Sequence, residues 1–251
     1  MLPNTLFLRL EGPLQSWGER SRWSIRDTAA EPTKSGLIGL IACALGYKDD
    51  EQIRPLSQKT RLGIRVDAPG TQIVDYHTIG GGYDSPTLLT AQGKPKKNPS
   101  GTPHTELSER AYLCDASFLA ALQVRDEDDG SLIAQMAEAL QHPFWPIYLG
   151  RKACVPSRPV FVGTAHHATL LEALKSHTSF THYRQPRSKR PFRLKFILEN
   201  EQPIGRRQRD NIHSRRYRIY YPRYLKTPRP NELPTYTIKE ENGDVSLQIA
   251  A

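Results

Sequence analysis

Basic and aromatic side chains are concentrated in one stretch of the sequence, residues 184 to 229. This stretch has 15 lysines and arginines against three acidic residues, while the whole chain carries a formal net charge of +9. Cations bind phosphate and aromatic rings stack on nucleobases, so the composition is typical of a nucleic-acid-binding surface. A solvated charged face or a docking surface for an acidic protein would have a similar composition. The interleaved aromatic residues are Tyr183, Phe192, Phe196, Tyr217, Tyr220, Tyr221 and Tyr224.

A glutamine, a serine and a tryptophan follow the first apolar run, in the sequence LFLRLEGPLQSWG. Gly12 and Pro13 end a predicted strand at this point. The turn directs Gln15, Ser16 and Trp17 toward the side where the first helix begins. The amide and the hydroxyl can hydrogen-bond to phosphate or base edges, and the indole can line a pocket or pack on a neighbouring subunit. These three residues are candidates for RNA contact, although the local pattern by itself is most simply explained by an indole that packs on the domain surface.

A lysine and a serine stand where the first helix is predicted to begin. The segment PTKS precedes GLIGLIACALG, an apolar run closed by Gly46, so Ser35 or Thr33 is expected to cap a buried helix. The amides and dipole of a helix N-terminus attract phosphate, and Lys34 adds a positive charge. We predict that Lys34 and Ser35 bind phosphate. The alternative is that Ser35 only caps the helix and Lys34 is solvated.

Further arginines lie near predicted turns. Arg151 follows Gly150, which permits a close backbone approach, and Arg110 precedes a strand with one polar face. Either arginine could clamp phosphate or stack on a base, or could instead pair with Asp115 or Glu109. The other candidates for RNA contact are Arg22, Arg26, His77 and Tyr148.

A long segment, about residues 68 to 110, separates the second and third predicted strands. Its middle, TAQGKPKKNPSGTPHT, is rich in glycine, proline and lysine. We interpret it as a protruding arm whose basic tip is ordered by a partner, although a disordered insertion would have the same composition. Candidates for contact with DNA or a partner are Lys94, Lys96 and Lys97 in this arm and Arg206, Arg207 and Arg209 in the run GRRQRDNIHSRR.

Hydrophobic periodicity predicts the order β, α, β, β, α, β over residues 1 to 165. Strands are expected at LFLRL, RLGIRVD, YLCDASFLAALQV and PVFVGT, with Arg65 on an outer face, and helices at GLIGLIACALG and SLIAQMAEAL. This order is typical of the ferredoxin-like class of α+β folds, which RRM-like RNA-binding domains share. Residues 166 to 251, with short strand patterns near FRLKFIL, RYRIYY, TYTIK and VSLQI, are expected to form a small β-rich C-terminal subdomain.

Composition argues for a soluble cytoplasmic protein. No apolar stretch approaches the roughly 18 residues of a membrane helix, so no membrane partner is expected, and no signal peptide is visible. Cys43, Cys114 and Cys154 lack C-x-x-C spacing and are expected to be free thiols. The chain has no P-loop, nucleophile elbow or zinc-ligand spacing, so we predict no cofactor and no metal.

Five segments carry a resemblance to a known family: LRLEGPLQSWG, PTKSGLIGLIACALG, DYHT, RAYLCDASF and YLGRKAC. In this order they resemble the CasD subunits of type I-E Cascade, the CRISPR surveillance complex, which belong to the RAMP superfamily. The resemblance covers about residues 5 to 165. It implies a ferredoxin-like RAMP domain with a β-hairpin thumb in the 68 to 110 insertion.

The resemblance also implies partners. CasD-like proteins hold the 5′ handle of the guide crRNA, cap the filament of CasC-like backbone subunits and contact the CasA-like large subunit, within a complex that captures target DNA. Related type I-C subunits cleave the guide precursor. The alternative function is therefore a metal-independent endoribonuclease, with His77 or His104 and a nearby lysine or tyrosine as acid and base. We favour non-catalytic RNA binding.

Overall fold

The computed structural model describes residues 2–80, 88–126, 130–178, 191–241 and 244–250. Within these ranges the fold is mixed α+β, with mainly antiparallel sheets and four α-helices, none of them long and apolar enough to cross a membrane. The helices are α1 (Lys34–Ala44), α2 (Asp50–Gln58), α3 (Gly130–Gln141) and α4 (Leu170–Ser176). The strands are β1 (Thr5–Glu11), β2 (Leu14–Gln15), β3 (Ile25–Arg26), β4 (Thr60–Ala68), β5 (Thr71–Gly80), β6 (Thr105–Cys114), β7 (Ser117–Val124), β8 (Phe161–Ala165), β9 (Lys195–Asn200), β10 (Arg206–Ser214), β11 (Ile219–Lys226), β12 (Tyr236–Glu241) and β13 (Asp244–Ile249).

The larger sheet has the strand order β10-β11-β9-β4-β7-β1-β8, with antiparallel neighbours throughout. Every residue of β1 and β7 is buried because both faces of the sheet are covered. Helices α1 and α3 pack with Leu6 and Leu8 on one face. Helix α4 and the β12–β13 hairpin pack with Phe7 on the other face. The alternating apolar residues of β1 therefore serve two cores.

The strand predicted over residues 112–124 is wrong as a single element. Asp115 has a φ of +54°, and the chain turns there. The residues before the turn belong to β6 and those after it to β7, in two different sheets. Apolar alternation continues across the turn because both strands are buried near it, and this continuity hid the break.

The smaller sheet is built on a long β-hairpin within the predicted insertion. Strands β5 and β6 pair from Thr71 opposite Cys114 to Gly80 opposite Thr105. On its other edge β6 pairs with β2 and with β3. The chain between the two strands includes residues 81–87, which lie outside the described residues. The hairpin is thus joined at its base to the loop that follows β1.

The C-terminal strands do not form a separate subdomain. Strand β9 pairs with β4, so β9, β11 and β10 extend the sheet of the N-terminal half. The β12–β13 pair is a sheet of its own, and its Tyr236 and Leu247 pack into the core beneath α4. The basic composition of β10 concealed a strand whose alternate residues are buried. The basic residues at 184, 187, 189 and 190 lie outside the described residues.

Arg65 was expected on an outer face of the second strand but is fully buried. Its guanidinium pairs with Asp67 at 2.7 Å and donates to the carbonyl oxygens of Leu174 and His177. Arg9 pairs with the same carboxylate. Because α4 covers this face, the charges must be paired to be tolerated there.

His177 makes the stability of this covered face sensitive to acid. Burial, together with Arg65 and Arg9, lowers the pKa of His177 to about 4 from 6.5. Between these values the unfolded chain binds a proton that the folded protein does not, so stability falls as the pH is lowered through this window. We expect His177→Gln to flatten the loss of stability measured by denaturant titrations at several pH values. The exposed His142→Gln is the control, and an unchanged slope for His177→Gln would contradict the assignment.

Candidate nucleic-acid interface

A cleft of about 320 Å³ brings together residues from four parts of the chain. It lies between the loop after β2, the first turn of α1, the turn at Gly150 and the β10–β11 hairpin. Six of the predicted RNA-contacting residues line it: Ser16, Trp17, Arg26, Ser35, Gly150 and Arg151. Three of the lining residues are arginines, Arg26, Arg151 and Arg215, so the cleft is suited to anionic ligands.

The expectation that Gln15 and Trp17 face RNA is corrected by their burial. Trp17 is 1% exposed, and its indole Nε1 donates to Oε1 of Gln15 at 3.1 Å. Gln15 in turn donates to the carbonyl oxygens of Leu10 and Ala116. The side-chain amide of Gln15 therefore holds the end of β1 against the start of β7. The indole forms the floor of the cleft rather than an exposed wall.

Trp17 also supports the start of α1. A Cβ atom at Gly36 would lie 2.8 Å from the indole, so the helix approaches the ring more closely than any other residue type would permit. Thr33 is the N-cap, and its hydroxyl accepts from the Gly36 amide at 3.2 Å. Of the two caps considered, Thr33 is therefore correct. Ser35 is left on the cleft side of the first turn.

The prediction that Lys34 meets a phosphate does not fit its position. Its ammonium is fully buried, 3.1 Å from Glu199, and donates to the carbonyl oxygen of Thr60. Burial lowers the pKa of Lys34 to about 8, even though Glu199 opposes the shift. The backbone amide of Lys34 donates to Asp210 at 2.8 Å, so it is not open to a ligand either.

A buried ionic network therefore lies behind the cleft. Glu199 interacts with Lys34, Arg125 and Arg223. Asp210 accepts two hydrogen bonds from Arg223, at 2.6 and 2.8 Å. Two acidic residues and one arginine of the basic C-terminal stretch are thus used to fasten β9, β10 and β11 to the N-terminal half.

Arg151 holds the rim of the cleft together. Its guanidinium donates to the carbonyl oxygens of Ala111 and Arg26 and stacks 4.6 Å from the ring centroid of Tyr112. These partners differ from the acidic residues considered from the sequence. Gly150 has a φ of +108°, and a Cβ there would lie 1.9 Å from the carbonyl oxygen of Ser16. Only a glycine at position 150 allows this turn to approach the loop after β2 so closely.

Comparisons with known proteins identify the family. A family model described as "CRISPR-associated protein (Cas_Cas5)" matches residues 5–226. The protein "CRISPR system Cascade subunit CasD" of Escherichia coli (strain K12) is 32% identical over 179 residues, covering 67% of this chain and 75% of that protein. The chain belongs to the Cas5 family of CRISPR-associated proteins. Since the match ends at the last residue of β11, the basic strands are part of the family's domain.

Two solved structures share both fold and sequence with this Cas5-family chain. A chain of a "CRISPR RNA-guided surveillance complex" has a TM-score of 0.72 at 33% identity and covers 89% of each chain. A "Crystal structure of Cas protein" has a TM-score of 0.62 at 31% identity, covering 92% of this chain and 98% of that chain. The chain is thus a homologue of CasD, as the resemblance predicted.

The remaining predicted contacts of the Cas5-family chain lie outside the cleft. Arg110 on β6 donates to Ser108, and Arg206 is 3.9 Å from Glu31. Arg22 lines an adjacent cavity. The other predicted residues that do not line the cleft are His77 on β5, Lys94, Lys96 and Lys97 in the chain between β5 and β6, Tyr148 before the Gly150 turn, and Arg207 and Arg209 on β10.

The histidines of the alternative ribonuclease also lie away from the cleft. His77 is 3.5 Å from Asp75, and His104 hydrogen-bonds to Asn98 and Glu106. Lys96 pairs with the same Glu106. Over the described parts of the chain, no group of three or more His, Cys, Asp or Glu residues could hold a metal ion.

Sequence reasoning missed Arg215 and Tyr220 as cleft residues. Both lie in the basic and aromatic stretch that was noted from composition. Which of its many cations would face the cleft depends on the β10–β11 hairpin, whose first strand was not predicted. The exposed Trp23, beside the predicted Arg22 and Arg26, was also overlooked, although an isolated tryptophan in a polar loop was a usable signal.

Proposed function

We propose that this protein is the non-catalytic RNA-binding subunit of a type I-E CRISPR Cascade complex and that the basic cleft holds the 5′ handle of the guide crRNA. The observation that carries the proposal is the meeting of Arg26, Arg151 and Arg215, from three distant segments, around one cleft. Arginines bind phosphate bidentately and stack on bases, which suits an unpaired RNA segment. The CasD homology supports the assignment to Cascade.

The fold supports the same proposal. Strands β4, β7, β1 and β8 are adjacent and are connected with α1 and α3 in the order β, α, β, β, α, β. We interpret this part as a ferredoxin-like RAMP domain. The β5–β6 hairpin corresponds to the thumb that folds over the guide.

The proposed partners are the guide crRNA, a CasC-like backbone subunit whose filament this chain caps, and a CasA-like large subunit. Exposed cations outside the cleft are available for target DNA or for these subunits. They include Lys94, Lys97, Arg207 and Arg209. The protein contributes binding and positioning, because neither His77 nor His104 lies among the cleft residues where RNA is proposed to be held.

RNA binding to the full chain, without metal, tests the proposal. Labelled repeat RNA with a normal or a 2′-deoxy residue at the junction between handle and spacer is expected to bind without being cleaved. Arg26→Ala and Arg215→Ala should each weaken binding and reduce the slope of log affinity against log salt by about 1. Lys175→Ala on α4, which packs on the opposite face of the sheet, is the control and should bind normally.

Two outcomes would contradict the proposal. Cleavage that the 2′-deoxy residue blocks would establish the endoribonuclease alternative, because that chemistry uses the 2′-hydroxyl. Binding that is absent, or that is insensitive to salt, would favour a module that docks an acidic protein.

A further inference from the structure

A second cavity, of about 290 Å³, adjoins the cleft and shares Ser21 and Arg26 with it. Its other lining residues are Arg22 and Trp23 of the loop after β2, and Arg218 of the β10–β11 turn. Trp23 is 93% exposed, an unusual state for a side chain that gains so much from burial. Three cations and one bare indole therefore surround an open space.

The loop that carries Trp23 is held in place rather than loose. The carboxylate of Asp27 accepts hydrogen bonds from the backbone amides of Glu19 and Arg20, at 3.1 and 2.7 Å. The amide of Arg22 donates to the carbonyl oxygen of Ile25 at 2.8 Å, which closes a turn with Trp23 at its tip. The indole is exposed although its backbone is fixed, as a preformed stacking platform requires.

Arg218 occupies a backbone conformation that arginine disfavours. Its φ is +54°, and its amide donates to the carbonyl oxygen of Arg215 at 3.2 Å across the hairpin turn. Glycine or asparagine is the usual residue in this left-handed position, because a Cβ is crowded there. Within the described ranges, Asp115 is the only other non-glycine residue with positive φ. Backbone strain of this kind concentrates at binding sites.

The guanidinium groups of two of these arginines are also available to a ligand. Within the part of the chain that the structure describes, the guanidinium groups of Arg22 and Arg218 have no hydrogen-bond or ion-pair partner. Arg26 donates only weakly, at 3.3 Å, to the carbonyl oxygen of Trp23. The three exposed arginines line one open cavity, an arrangement that suits a ligand with negative charge.

We propose that this cavity is a nucleotide subsite in which one unpaired base of the guide RNA stacks on Trp23 while Arg22, Arg26 and Arg218 hold its flanking phosphates. This inference rests on the proposed RNA-binding function. Stacking uses the face of a base and tolerates any sequence, whereas the faces of paired bases in a duplex are covered by their neighbours. The subsite should therefore select single-stranded RNA and contribute little to the choice of bases.

Binding of labelled single-stranded repeat RNA to the full chain tests the subsite. Trp23→Ala should weaken binding about tenfold, the ordinary effect of losing one stacked base, and Trp23→Phe should retain most of the affinity. The substitution removes no charge, so its effect cannot be electrostatic. Binding of a fully duplex RNA should be unchanged by Trp23→Ala.

The Arg218→Gly variant distinguishes the effect of the left-handed backbone on stability from the effect of the arginine side chain on RNA binding. It should raise the melting temperature by about 2 to 4 °C, because glycine relieves the left-handed backbone, and weaken RNA binding about fivefold or more. Asp115→Gly relieves the same conformation away from the cavity. It is the matched control and should stabilise the protein, by a smaller amount, without changing RNA affinity.

The outcomes distinguish the subsite from the proposed function. Wild-type affinity in Trp23→Ala and Arg218→Gly, with binding still weakened in Arg215→Ala, which lines the cleft but not this cavity, would overturn the subsite and leave the RNA-binding cleft. Equal weakening of single-stranded and duplex RNA by Trp23→Ala would also overturn it. Absence of salt-dependent RNA binding by the wild-type chain would instead overturn the proposed function.

Discussion

Replacing Glu199 by glutamine is expected to lower the free energy of unfolding by about 3–5 kcal/mol. The carboxylate is buried, contacts Lys34, Arg125 and Arg223, and accepts from the backbone amide of Leu62. Glutamine keeps the size of the side chain but leaves the buried Lys34 without its counter-charge and Arg223 with Asp210 alone. Removing one partner of a buried ionic group costs more than the pair contributes, because the remaining charges stay out of water.

Urea titrations of the variant and of Glu201→Gln provide the measurement and its control. Glu201 is only two residues away and pairs with Arg61, but its side chain is 71% exposed, so its replacement should cost less than about 1 kcal/mol. Without Glu199 the pKa of Lys34, already lowered to about 8 by burial, should fall further. The stability of Glu199→Gln should then rise with pH near neutrality, since the unfolded chain binds the extra proton. Similar losses for both variants would contradict the network.

Gly150→Ala is expected to destabilise the protein by about 3 kcal/mol and to weaken RNA binding in the cleft. An alanine would have to adopt a φ of +108° and place its Cβ 1.9 Å from the carbonyl oxygen of Ser16. The turn must therefore move away from the loop after β2. This movement would also displace Arg151, which ties that loop to β6.

The opposite result is expected for Gly39→Ala, its matched control. Gly39 lies in the interior of α1, and a Cβ there would meet no atom within 4 Å. Alanine should stabilise the helix by about 0.5–1 kcal/mol and leave RNA binding unchanged. Thermal unfolding and RNA titration of the two variants give both readouts. A Gly150→Ala protein with wild-type stability would mean that the turn is not packed as described.

Local chemistry made much of the fold and part of the site predictable. The alternation in β1 and β4, the cap at Thr33 and the glycine that closes α1 depend on residues a few positions apart, so the sequence displays them directly. Six predicted site residues meet at the cleft because turns and caps were read correctly at three of its four walls, the β10–β11 hairpin being the exception.

Burial of polar side chains could not be predicted in the same way. Lys34 finds Glu199 and Asp210 at separations of 165 and 176 residues. Trp17 is covered because the first turn of α1 places Gly36 against its ring. Each side chain has a short-range pattern that suits an exposed binding role. The polar groups of each side chain find their hydrogen-bond partners only when distant elements pack together.

The sequence by itself determined an α+β chain with an excess of positive charge in its C-terminal third, because composition and periodicity are local properties, and the resemblance of its motifs indicated the CasD-like family. The tertiary structure alone decided which cations are paired with buried acids and which line a cavity. Arg223 is spent on Asp210, whereas Arg215 reaches the cleft and Arg218 a cavity beside it. A charge seeks its counter-charge through space, and the sheet formed by β4, β9, β11 and β10 sets which charges are within reach.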